Sequence, residues 1–138
     1  MRVALDTNVL VAAVATRGLC ADVVNLIMAE HELILGEAVL TELKRVLRKK
    51  MRVPAVVIDE YDSLLRRESR VVSKAKAFVV AIRDKSDIPV LSEAIAGNAE
   101  ILITGDRDLL DIAEQLPLRI LTPRAWWEQL RRDGRPLR

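Results

Sequence analysis

Four acids in this chain, Asp6, Glu42, Asp87 and Asp106, are far apart in sequence but similar in setting. Asp6 closes the apolar run Val3-Ala4-Leu5 and is followed by Thr7-Asn8. Asp106 closes a second run of the same form, Ile101-Leu102-Ile103-Thr104-Gly105. A short apolar run bounded by polar residues reads as a buried strand. In an open parallel sheet, groups at the carboxyl ends of strands face the ligand crevice. Carboxylates gathered there repel one another and their pKa values rise. A divalent cation relieves that conflict. Oxygen ligands without a His or Cys cluster point to Mg²⁺ or Mn²⁺ rather than zinc. Such a cation acidifies a bound water and stabilises charge building on a phosphoryl group.

The elements that must carry these acids follow from periodicity and punctuation. A helix starts near Thr7 or Asn8, either of which can cap it, and Arg17-Gly18 breaks it. Residues 21–29 read as a second helix and 32–35 as a strand. Residues 37–50 form an amphipathic helix with a stripe of Val39, Leu40, Leu43, Val46 and Leu47. Glu42 lies at the rim of that stripe, and Lys44, Arg45, Arg48, Lys49 and Lys50 cover the other face and the end. Pro54 opens the next helix, and residues 70–72 read as a strand. Residues 78–82 are open between strand and extended lead-in, because periodicity cannot decide over so few positions. The run Asp84-Lys85-Ser86-Asp87 precedes a helix through Ala96 that Gly97-Asn98 stops. A strand over 101–104, a helix over 107–115, a strand over 119–121 and a final helix from Pro123 complete the chain. Strands alternating with helices predict a three-layer α/β/α sandwich around a central, mostly parallel sheet. Residues 1–130 read as one domain and 131–138 as a loose basic tail.

Composition narrows the class. The 138 residues are 51% hydrophobic but only 3% aromatic, so one domain with an aliphatic core is expected. The longest apolar runs fall short of the roughly 18 residues of a membrane span, and a strand so near the start leaves no place for a secretory signal. The single cysteine, Cys20, has no internal partner, which fits a cytoplasmic location. A net charge of +2 is too mild to establish nucleic-acid binding by itself, yet it sets a candidate acidic site in a basic protein.

The ordered set Leu5-Asp6-Thr7-Asn8, Thr41-Glu42-Leu43, Arg83-Asp84 through Asp87-Ile88-Pro89-Val90-Leu91, and Thr104-Gly105-Asp106-Arg107-Asp108-Leu109-Leu110 resembles the PIN-domain family, and within it the VapC-like toxins of toxin–antitoxin systems. The resemblance spans nearly the whole chain. It implies metal-dependent hydrolysis of RNA phosphodiesters, with Asp6, Glu42, Asp87 and Asp106 holding Mg²⁺ or Mn²⁺ directly or through water. Asn8, Thr104 and Asp108 would support the site. Asp84 and Asp87 compete for the third position. Asp87 is preferred because it directly precedes the Ile88-Pro89-Val90-Leu91 helix start, and Asp84 is the fallback. The resemblance also implies a homodimer and an antitoxin on a separate chain, since no DNA-binding or inhibitory segment is evident.

Blander readings stand beside these. Taken singly, Asp6 and Asp106 read first as helix caps, and only the ordered set reads as a ligand shell. Asp108 is balanced between support for the site and a favourable acid in a first turn. Glu93 and Glu114 read as solvated, His31 as structural and Cys20 as a small packing residue. Of the adjacent Trp126 and Trp127, one is expected in the core. The basic runs read as solvated faces that, beside a nuclease site, would guide phosphates. Two rivals remain: a phosphatase with Asp6 as nucleophile, and a non-catalytic RNA- or protein-binding module on the same fold. A P-loop or G-x-G-x-x-G reading finds no support.

Overall fold

The computed structural model describes residues 1–73, 75–78 and 80–133. Its centre is β1 (Arg2–Leu5), flanked by β2 (Glu32–Gly36) and β4 (Ile101–Ile103). β3 (Ser69–Val72) lies outside β2, and β5 (Arg119–Leu121) outside β4. The sheet order is β3-β2-β1-β4-β5, and every pair is parallel. Parallel neighbours need crossover connections, and the helices supply them. These are α1 (Thr7–Ala15), α2 (Leu19–Glu30), α3 (Glu37–Lys49), α4 (Ala55–Arg67), α5 (Asp87–Ala96), α6 (Arg107–Asp111) and α7 (Pro123–Arg132).

Strand alternation sorts the core into two layers. Val3, Leu5, Leu33, Leu35, Ile101 and Ile103 face a cluster completed by α1, α2, α3, α4 and α7, including Leu10, Leu40, Leu65 and Trp126. Ala4, Ile34, Leu102 and Ile120 face the opposite cluster, with Leu91 and Ala94 of α5 and Leu109 of α6. Each fully buried Leu or Ile contributes about 1.5–3 kcal/mol, so both faces hold the sheet mainly through aliphatic side chains. The expected three-layer sandwich is thus observed.

Several boundaries differ from expectation. The helix read over 107–115 is two pieces, because the chain turns at Ile112 into a 3-10 turn over Ala113–Gln115. Of the two readings left open for residues 78–82, the strand is not formed at 78, 80, 81 and 82: Phe78 N–H donates to Ser92 Oγ at 2.9 Å, and Ile82 packs into the α5 layer. Val79 lies outside the described residues. α7 continues through Arg132, so the first residues of the expected loose tail are helical, while residues 134–138 lie outside the described residues. Among the described residues no single helix is long and apolar enough to cross a membrane. The apolar pair α1 and α2 turns by 110° between its members and buries Leu10, Val23 and Ile27.

Glu93 corrects its expected role as a solvated residue. It is buried, and its Oε1 accepts from Ala38 N–H at 2.8 Å at the start of α3. Gly36 precedes α3 without a side chain to cap it. An added Cβ at Gly36 would overlap Glu93 Oε1 and sit 2.6 Å from Glu93 Cβ. The cap therefore comes from another helix, and the missing Cβ admits it.

Candidate active site

The carboxyl ends of the two central strands meet at one edge of the sheet. Leu5 pairs in register with Ile103, so the next residues of each strand become neighbours. Asp6 N–H donates to Ile103 O at 3.0 Å. Asp6 Oδ1 accepts from Thr7 N–H at 2.7 Å at the start of α1, and its Oδ2 accepts from Thr104 Oγ1 at 2.6 Å. Thr104 is completely buried and also accepts from Asp106 N–H at 2.9 Å. One hydroxyl therefore links Asp6 to the turn that presents Asp106. Asp106 Oδ1 in turn accepts from Asp108 N–H at 2.9 Å and caps α6.

α5 delivers the third acid from the opposite layer. Asp87 is its first residue and is buried. Asp87, Asp106 and Asp108 each offer a carboxylate oxygen, and the three oxygens lie within 4.8 Å of one another. Asp87 Oδ2 is buried and, among the described residues, has no hydrogen-bond partner. Burial, then the Asp106 carboxyl as hydrogen-bond partner and as charge, raises Asp87 to about 7. Asp84 and Asp6 add to the repulsion. Burial likewise lifts the Asp6 carboxyl above its usual range, against the opposing hydrogen bonds from Thr104 and Thr7.

Asp84 has a different setting. It is exposed, and its Oδ1 accepts from both Ser86 N–H and Ser86 Oγ at 2.9 and 2.7 Å. The Ser86 hydroxyl, more than its backbone N–H, holds the Asp84 carboxyl below the usual range. The fallback acid thus shapes the turn before α5, while Asp87 sits beside Asp106.

Glu42 faces the cleft from α3, but Arg45 three residues on holds it. Arg45 Nε donates to Glu42 Oε2 at 3.0 Å and Nη2 to Oε1 at 2.5 Å. The guanidinium keeps the Glu42 carboxyl below its ordinary value. Asp6, Asn8, Glu42, Asp84, Asp87 and Asp106 nonetheless line one cleft of about 450 Å³, with Arg45 on its wall. All four expected acids therefore share a cavity, but the tightest trio is Asp87, Asp106 and Asp108 rather than one containing Glu42. Asp108, expected in a supporting role, belongs to that trio, and Arg45 is an addition to the expected residues. The signal for Arg45 is its spacing from Glu42, since i,i+3 residues meet on a helix.

The donor set fits a hard divalent cation. It consists of carboxylate oxygens alone, one buried oxygen lacks a partner, and neighbouring carboxylates resist simultaneous ionisation. His31 lies away from this cleft: the N-terminal amine is 3.4 Å from its Nδ1, and its ring meets Trp126 edge-on at 5.6 Å. Its structural role is as expected, and Trp126 is the buried member of the tryptophan pair.

Comparison with known proteins bears on both fold and cleft. A family profile described as PIN domain matches residues 2–108, which include all of the acids above. No curated protein matches in sequence. Among solved structures, VapBC-1 from nontypeable Haemophilus influenzae is similar with a TM-score of 0.63, at 16% identity over 90% of this chain and 99% of that one. VapBC2 from Rickettsia felis, solved bound to a DNA fragment from its promoter, is similar with a TM-score of 0.59, at 16% identity over 88% of this chain and 98% of that one. At that identity the likeness is one of fold.

Proposed function

The chain belongs to the PIN-domain family, and from that premise we propose that its acidic cleft is the active site of a Mg²⁺- or Mn²⁺-dependent endoribonuclease, the toxin of a toxin–antitoxin pair. The observation that carries this reading is the trio Asp87, Asp106 and Asp108 with the unpartnered, buried Asp87 Oδ2. Asp87, Asp106 and Asp108 would hold the cation on one side, with Asp6 beside them and Glu42 reaching from α3 directly or through water. Bound there, a divalent cation supplies an acidified water and neutralises charge developing on a scissile phosphoryl group. Thr104 fixes Asp6 and the Asp106 backbone relative to each other. Asn8 offers a neutral amide at the cleft wall for the substrate. The antitoxin would be a separate protein, an assignment supported by the fold likeness to VapBC proteins. A homodimer follows from the family reading, and a reducing cytoplasm fits the lone Cys20.

The phosphatase reading fares worse. A second Asp two residues after the nucleophile is missing, because Asn8 stands there. The non-catalytic reading would predict a missing acid, and all four are present in the cleft. The test is cleavage of a mixed pool of structured RNAs by the purified protein with Mn²⁺, Mg²⁺ or EDTA, alongside Asp106→Asn. Cleavage that requires the metal and vanishes in the variant is the expected result. Cleavage that persists in EDTA or in Asp106→Asn would overturn it.

A further inference from the structure

A second cavity, of about 470 Å³, opens between α3 and α4. Its α3 wall is the stripe Thr41, Lys44, Arg45, Arg48 and Lys49, and Asp59 of α4 is the one acid among the described lining residues. The spacing of the stripe places all five on a single helix face. Arg45 lines this cavity and the acidic cleft alike. Its guanidinium grips Glu42 on the cleft side. The basic cavity therefore adjoins the acidic cleft at Arg45.

Two of the four cations there are uncommitted. Lys44 lies 3.9 Å from Asp62, a loose pair, and Arg45 is engaged by Glu42. Among the described residues, Arg48 and Lys49 have no ion-pair partner, and both are exposed. From Thr41 to Lys49 the helix rises about 12 Å. Lys44, Arg48 and Lys49 together supply three positive charges along that rise, one for each phosphate neutralised.

We infer that the α3–α4 cavity is a backbone-phosphate subsite that holds single-stranded RNA next to the acidic cleft, with Lys44, Arg48 and Lys49 as its contacts. The inference rests on the nuclease reading for its substrate. It adds where the flanking strand lies and which face of the protein it crosses. The contacts are to phosphates, so they fix register without reading sequence.

The test measures binding of a short fluorescein-labelled single-stranded RNA by fluorescence anisotropy in EDTA, over a range of salt concentrations. The triple variant Lys44→Gln/Arg48→Gln/Lys49→Gln is compared with Arg124→Gln/Arg131→Gln/Arg132→Gln, which removes the same charge from the exposed side of α7. Each phosphate contact on a single strand contributes about 0.7 to the slope of log affinity against log salt. The α3 variant is expected to lose about 2 from that slope and to bind weakly to every sequence, while the α7 variant keeps the slope. If circular dichroism shows the triple variant unfolded, Arg48→Gln/Lys49→Gln alone, both side chains exposed, should lose about 1.4. Equal slopes in the α3 and α7 variants, or no binding by the unaltered protein, would overturn the subsite. Binding in EDTA needs no catalysis, so the two readings fail separately. Groove-dependent binding without metal-dependent cleavage would sink the nuclease alone, and cleavage with charge-insensitive binding would sink the subsite alone.

Discussion

Replacing Asp87 by Asn should stabilise the metal-free protein at about pH 8, although it removes a group the proposed reaction needs. The sign follows from the proton. The folded chain holds the Asp87 carboxyl up to about 7, against an ordinary 3.8. Well below pH 4 both folded and unfolded chains carry that proton, and no charge is buried. As the pH rises from about 4 to about 7 the unfolded chain releases its proton first, so folding stability falls through that window and the loss is complete above it. At about 1.4 kcal/mol per tenfold in proton affinity, the gap from 3.8 to about 7 sets a ceiling of about 4 kcal/mol. The cleft is open to solvent, which screens the repulsion and brings the expected gain to about 1–3 kcal/mol. Asn keeps the shape of the protonated carboxyl without its charge. Urea unfolding in EDTA should therefore show Asp87→Asn more stable than the parent at about pH 8 and nearly equal to it at about pH 4. Saturating Mn²⁺ should reverse the order. A ligand at a hundred times its Kd adds about 2.7 kcal/mol to the state that binds it, and the variant lacks the full shell. A variant that is less stable at pH 8, or one whose difference is the same at both pH values, would refute the argument that Asp87 is held in electrostatic conflict.

Two further substitutions probe the supports of the site. Thr104→Val keeps the side-chain shape but strands Asp6 Oδ2 and the Asp106 N–H, so thermal unfolding should report a loss of about 2–3 kcal/mol. Mn²⁺ affinity by calorimetry should fall about 10- to 100-fold, the usual consequence of removing a group that orients metal ligands. Gly36→Ala should cost about 2–4 kcal/mol in urea unfolding, combining overpacking against Glu93 with loss of the borrowed cap on α3; a change under about 0.5 kcal/mol would mean that the Glu93 side chain moves aside freely.

The layer architecture could be read from sequence because apolar runs, caps and stops agree from one end to the other. Val3–Leu5 and Ile101–Ile103 are too short and too apolar to be anything but buried strands once helices flank them. The candidate site is legible for a related reason: Asp6 directly follows the first of those strands, Asp106 comes three residues after the end of the second, and register does the rest. What sequence left open depends on contacts between distant segments. Asp84 and Asp87 look alike in a string, and they separate only because Ser86 occupies Asp84 while α5 sets Asp87 against Asp106. Glu93 carries the residue type of a surface position, and its burial follows from the absent Cβ of Gly36 more than fifty residues earlier. Glu42 reads as a rim residue of its helix, and i,i+3 spacing brings Arg45 within reach of it, but only the folded side chains show two donors turned onto the carboxylate.

The central position of β1 has a consequence for how the protein comes into being. Its partner β4 arrives almost a hundred residues later, and the Thr104–Asp6 hydrogen bond spans 98 residues. A chain emerging at about 5–20 residues per second needs about 5–20 s to pass from one to the other. Throughout that interval the nascent chain carries Asp6 without Asp106. The acidic cleft is thus closed by one of the last strands to be synthesised, and an unfinished chain on the ribosome has no complete acidic site.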